Sequence, residues 1–179
     1  MRIAFSGEPG SGRTTAAEYL AEMYGFGLLS LEDKLKFNLI DIGLDVGRMF
    51  ENKDDTSIAL MELYGEAMRE QDPLHWLDTV LEGVEFGESL GTDGHVIDDL
   101  CHRIEGDILR NNGFWLVRIN KSTGSPMCPP MSYRKYNAGD WKDLEFNRTI
   151  NVEEGDLVDL YGKLDKMVSE FERLEAKED

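Results

Sequence analysis

The segment that most restricts what this chain can become lies at its start, where Ile3-Ala4-Phe5 runs directly into Gly7-Glu8-Pro9-Gly10-Ser11-Gly12-Arg13-Thr14-Thr15. A short apolar strand followed by glycines at 7, 10 and 12 turns the chain through dihedrals that side chains resist. Ala16, Tyr19, Leu20 and Met23 then recur at helical spacing, so a helix with one buried stripe opens near Arg13. Strand, glycine turn and helix in this order aim successive backbone N–H groups and the positive end of a helix dipole at one point. That point attracts an anion, and the G-x-x-x-x-G-[KR]-[ST] spacing suits a polyphosphate. In the usual form of such a loop a lysine reaches the outer phosphates and the next hydroxyl ligates magnesium. Here Arg13 takes the place of the lysine and Thr14 supplies the hydroxyl. Arginine keeps the charge but carries it as a broad planar fork on a longer stem, whereas lysine is a compact point charge that fits inside the loop.

Beyond the loop, Phe26-Gly27-Leu28-Leu29-Ser30-Leu31 reads as a second strand, followed by a helical stretch holding Leu35, Leu39, Ile40 and Ile42. Two further helical patterns, at about 56–70 and 73–82, meet at Asp72-Pro73, where proline suits a first helical turn. Gly83 to Gly94 reads as a polar, glycine-rich connection. His95-Val96-Ile97 makes a third strand closed by Asp98-Asp99, and a helix at about 102–111 follows. Phe114 to Ile119 is nearly continuous apolar sequence, as in a strand covered on both faces. Asn120 to Glu145 holds Gly124, Pro126, Pro129, Pro130 and Gly139 with Arg134, Lys135 and Lys142 and reads as a long loop, in which Arg134 and Lys135 are candidate lid charges. Phe146 to Asn151 gives a last strand. Leu157, Leu160, Leu164, Met167, Val168, Phe171 and Leu174 mark one face of a closing helix, whose charged end from Glu172 to Asp179 is expected to fray.

Strands alternating with helices call for a parallel sheet covered on both faces, with ligands at the carboxyl ends of the strands. The phosphate-binding loop, Asp98-Asp99 and the long loop all fall on that edge. With 179 residues the chain matches one domain with a sizeable core. Its 36 acidic and 19 basic side chains give a formal charge of -17, which disfavours nonspecific attraction to nucleic acid or to an anionic membrane. Any anion must therefore be captured locally. Cys101 and Cys128 lack metal-ligand spacing, and His75, His95 and His102 form no ligand set. With no signal peptide and no long apolar run, the expectation is a reduced, cytosolic protein.

Taken in order along the chain, these segments resemble the viral deoxynucleoside monophosphate kinases, a branch of the P-loop nucleotide kinases. Ser30 to Lys36, with Asp33 and Lys36 three apart, is similar to that family's second-strand segment. Tyr64-Gly65-Glu66-Ala67-Met68-Arg69 with Asp72-Pro73 and Trp76 looks like its substrate-side helix pair. Val96 to Asp99 with Glu105, the strand ending at Ile119, and Ile150-Asn151 complete the series. Three positions depart from the pattern: Arg13 replaces the loop lysine, Cys101 stands where an arginine commonly follows the strand-end aspartate, and Lys121 stands where an arginine often lies beside the base.

The resemblance implies a three-layer α/β fold of the P-loop kinase type, with about five parallel strands, a helical substrate-side insertion at about 32–92 and a lid-like loop at about 120–145. It implies ATP and Mg²⁺ as cofactors and phosphorylation of a deoxynucleoside monophosphate to the diphosphate by a cytoplasmic monomer or homodimer, in the host cytoplasm if the protein is viral. By the same resemblance Gly7, Gly10, Ser11, Gly12, Arg13, Thr14, Thr15 and Lys121 bind ATP, and Thr14 and Asp99 hold the metal. Asp33, Lys36, Arg69, Asp72, Trp76 and Arg103 surround the acceptor, with Trp76 stacking on its base. Arg13, Asp99 and Arg69 are the implied catalytic residues. Arg13 and Cys101 also leave room for a kinase-derived module that binds nucleotide or protein with weakened turnover. A GTPase-like switch is disfavoured, because Thr123 replaces the aspartate that would follow Asn120-Lys121 to read guanine.

Overall fold

The computed structural model describes residues 1–51, 54–121 and 143–178. Five strands, β1 (Arg2–Gly7), β2 (Gly27–Leu29), β3 (His95–Leu100), β4 (Phe114–Lys121) and β5 (Arg148–Val152), form one sheet in the order β2-β3-β1-β4-β5. Every neighbouring pair is parallel. The connecting helices are α1 (Arg13–Tyr24), α2 (Leu31–Asp41), α3 (Val46–Phe50), α4 (Asp55–Gln71), α5 (His75–Ser89) and α6 (Arg103–Asn111), and α7 (Leu157–Glu178) closes the chain.

Strand alternation divides the core into two layers. Ile3, Phe5, Val96, Val117 and Ile119 pack against α1 and α7, through Ala16, Leu20, Leu164, Met167 and Phe171. Ala4, Ile97 and Leu116 face the opposite way, onto Leu35, Leu39, Trp76, Leu77, Val80 and Leu109. Both sheet faces are thus dry, which is why the central strands read as continuous apolar runs. With all strands parallel, their carboxyl ends share one edge, and Gly7, Ser30, Asp98, Asp99, Lys121 and Val152 lie there.

Several boundaries differ from the sequence reading. The connection expected from Gly83 to Gly94 is helical as far as Ser89, because Val84 is buried and needs helical phase to reach the core. Its glycines are packing devices: a Cβ at Gly87 would lie 2.3 Å from His95 Nε2, and one at Gly83 would lie 3.1 Å from Leu29. The short α3 was not anticipated. The charged end of α7 is helical to Glu178 and is tied down where the Trp115 indole donates to Glu175, at 2.9 Å. Arg134, Lys135, Lys142 and Cys128 fall outside the described residues.

Candidate functional site

The amino-terminal loop adopts the geometry its glycines require. Gly7, Gly10 and Gly12 have φ of 150°, 76° and 99°. A Cβ at Gly7 would sit 2.3 Å from the Ile119 carbonyl oxygen, so only glycine lets β1 end against β4 this closely. Ser11 N–H donates to the Glu8 carbonyl at 3.0 Å and closes the turn. Gly12 caps α1 without a side-chain hydrogen bond, leaving the first amides of that helix for an outside acceptor. The Ser11 hydroxyl is buried with no partner among the described residues, and it lies beside Gly7, 2.8 Å from where a Cβ there would sit.

A cleft of about 310 Å³ adjoins the loop, lined by Gly10, Ser11, Gly12, Thr15, Lys121, the turn from Val152 to Leu157, and Leu160. The Lys121 ammonium pairs with Glu154 across this cleft, at 2.6 Å. The structure therefore brings Lys121 to the glycine loop and adds a lining segment, Glu153 to Asp156, that sequence reading missed. Its signal was available: a Gly-containing turn directly after the last strand must lie on the carboxyl edge.

Asp98 and Asp99 are adjacent in sequence and opposite in direction. Asp98 shares the side of Val96 and accepts from the Thr14 hydroxyl at 2.6 Å. Asp99 shares the side of Ile97 and accepts from the Ser30 hydroxyl (2.7 Å), Leu31 N–H (3.0 Å) and Glu32 N–H (2.9 Å), so it caps α2. A register irregularity opposite Ala4–Ser6 sits at this point of β3, as bulges often do beside functional sites. Of the two carboxylates it is Asp98, not Asp99, that contacts the Thr14 hydroxyl. Burial, followed by the charges of Glu32 and Asp98, raises the Asp99 carboxyl to about 7, against the opposing hydrogen bonds from Leu31 and Ser30.

Arg13 does not curl into the loop. Its guanidinium reaches the end of β3, where Nη1 donates to Cys101 Sγ at 3.7 Å. Burial opposes the charge, but Cys101, Asp99 and Asp98 outweigh that and hold the guanidinium above its ordinary value. The Cys101 thiol is pushed up to about 12, by burial first and then by Glu105, Glu32 and Asp99, with Arg13 opposing.

The acceptor-side candidates are more dispersed. Lys36 is buried and pairs with Asp33 (3.0 Å) and Glu32 (3.7 Å), its ammonium 5.2 Å from the centre of the Phe50 ring. Arg69 Nε bonds Glu105 at 3.1 Å, and that carboxylate is 1% exposed. Arg103 is exposed and pairs with Asp107 at 3.5 Å. Asp72 is exposed and accepts from Leu74 N–H, shaping the turn into α5. Trp76 corrects the stacking expectation: it is 1% exposed, its Nε1–H donates to the Gly65 carbonyl at 3.3 Å, and Tyr64 packs edge-on against it. No ring face remains for a base. Among the described residues no group of three or more His, Cys, Asp or Glu forms a metal cluster, and no helix is long and apolar enough to cross a membrane.

The sheet order, the glycine loop and the site on the carboxyl edge define the three-layer α/β fold of the P-loop kinases. Solved structures agree: a putative kinase from Chloroflexus aurantiacus has TM-score 0.56 and 13% identity, covering 96% of each chain. A sugar kinase from Janibacter sp. HTCC2649 has TM-score 0.54 and 18% identity, covering 90% of each. In sequence, the chain is 25% identical over 179 residues to the cytidylate kinase of Methanocella arvoryzae, covering 97% of this chain and 99% of that protein. No protein-family model matches the chain.

Proposed function

We propose that this protein is a phosphotransferase that moves the terminal phosphoryl group of ATP to a nucleoside monophosphate, with a deoxynucleoside monophosphate as the finer expectation. One observation carries the reading: the glycine loop leaves the first amides of α1 uncapped beside a cleft, and the Thr14–Asp98 pair joins the start of that helix to the end of β3. The full-length similarity to a cytidylate kinase supports a nucleotide as acceptor.

Phosphoryl transfer is chiefly a matter of position and charge. The loop amides would hold the donor phosphates, and the cleft beside Lys121 would take the donor base. The oxygens of Thr14 and Asp98 fit the hard-donor preference of Mg²⁺, and they are the groups that would hold it. Bound there, the metal would neutralise charge on the transferring phosphates. Arg13 would place a fixed positive charge at the mouth between the loop and β3. Lys36 and Arg69 are the acceptor-side cations, each held in place by carboxylates of the protein itself.

Purified protein incubated with ATP, Mg²⁺ and each common ribo- and deoxynucleoside monophosphate should yield diphosphate from at least one, and Thr14→Ala should abolish it. A second reading, a nucleotide-binding module without turnover, draws on Arg13 having left the loop. Tight ATP binding with no diphosphate from any acceptor would replace the first reading by the second.

A further inference from the structure

The candidate cations of this site differ in what holds them. Lys36 rests on Asp33 and Glu32, Arg69 on Glu105, Arg103 on Asp107 and Lys121 on Glu154. Each is tied to a carboxylate before any ligand arrives. Arg13 has the Cys101 sulfur as its hydrogen-bond partner, a neutral and weak acceptor, while Asp99 and Asp98 act on it through their charge and not as hydrogen-bond partners. A carboxylate at position 101 would neutralise the guanidinium by direct contact, and a branched side chain would occupy its place.

We infer that Cys101 is the positioning residue of the site: a small uncharged seat that holds the Arg13 guanidinium at the mouth between the phosphate loop and β3, leaving its charge for the phosphate chain. The assignment of the loop to a polyphosphate is the part of the proposed function on which this rests. Cys101 lies at the exit of β3, beyond Leu100, whose side chain is fully buried, so the backbone that carries the seat is anchored in the sheet. The fork of Arg13 spans from the first turn of α1 to this seat, a reach and a shape that an ammonium does not reproduce.

The test is a double-mutant cycle read by calorimetric binding of inorganic tripolyphosphate, a probe that needs neither a base nor turnover. Cys101→Leu should weaken tripolyphosphate binding about tenfold with Arg13 present and less than twofold in the Arg13→Ala background. Cys101→Ser, which keeps a small neutral acceptor, should recover most of the loss. Arg13→Lys should weaken binding, and adding Cys101→Leu to it should weaken binding little further. Cys101→Val provides the same comparison should the leucine variant fail to fold. Equal losses in both Arg13 backgrounds would reduce Cys101 to a packing residue and overturn the inference, as would no loss in either. A wild-type protein that does not bind tripolyphosphate overturns the inference and the site together. Intact coupling with no diphosphate from any acceptor would remove the kinase reading and leave the seat standing.

Discussion

Asp99 makes the pH dependence of stability a direct test of how β3 meets α2. Its carboxyl lies at about 7 in the folded chain against 3.8 for an unperturbed aspartate, chiefly through burial and then through Glu32 and Asp98. A raised acid favours folding while it is protonated. Its contribution is complete below the unfolded value and is lost as pH climbs toward the folded one. A shift of about three units at ~1.4 kcal/mol each sets a ceiling of about 4 kcal/mol over the whole window. About two of those units fall between pH 5 and pH 8, and solvent reaching the partly buried side chain reduces them, giving about 1–2 kcal/mol. Asp99→Asn removes the titration and keeps one acceptor for the Leu31 and Glu32 amides. Urea unfolding of both proteins at pH 5 and pH 8 isolates the effect, since the general repulsion of a chain of charge -17 is nearly common to the two. The stability of the wild type relative to the variant should fall by about 1–2 kcal/mol from the lower pH to the higher. Parallel profiles, or a difference that grows with pH, would refute the assignment of Asp99 as a carboxyl held against burial and like charge.

Asp98→Ala removes the partner of the Thr14 hydroxyl and should lower turnover by on the order of 10²-fold, with ATP affinity in the absence of Mg²⁺ little changed, in a steady-state and titration pair. Gly7→Ala drives a methyl onto the Ile119 carbonyl at a backbone angle that side chains rarely adopt. A cost of about 3 kcal/mol follows, seen as a melting temperature lowered by roughly 10 °C. Trp76→Phe keeps most of the buried ring but loses the bond to the Gly65 carbonyl, costing about 1 kcal/mol or somewhat more in urea unfolding. The acceptor KM should not move; a tenfold rise would return Trp76 to the base pocket.

What was legible in the sequence follows the reach of each interaction. The glycine loop could be read because its requirement is local: a backbone path that only glycine follows, between a strand and a helix. The layering of the sheet was legible from alternation, and the same alternation separates Asp98 from Asp99, since Val96 and Ile97 already point to opposite layers. The resemblance, rather than parity, drew the metal role to Asp99. Trp76 was not legible, because its burial depends on α4 lying across α5, where the indole reaches the Gly65 carbonyl. Gly83 and Gly87 misled for a related reason. A helix-breaking residue in isolation becomes a contact surface when Leu29 and His95 occupy the space where its side chain would be.

The acidity of the chain bears on the site differently from its role in solubility. At a formal charge of -17 the long-range field repels a nucleotide polyphosphate, and a Debye length of about 8 Å at physiological salt confines that repulsion without reversing it. Capture must come from groups in contact with the anion, yet the carboxylates that make the protein acidic are also the partners of Lys36, Arg69, Arg103 and Lys121. A cation already bonded to a carboxylate offers a ligand only the difference between two pairings. Backbone amides have no such competitor, and a guanidinium resting on a thiol meets the carboxylates of Asp99 and Asp98 only through their field, not through a direct pairing. A strongly acidic phosphate-binding protein is therefore pushed toward main-chain recognition with a cation seated on a neutral group, the combination found where Gly12, Arg13 and Cys101 meet.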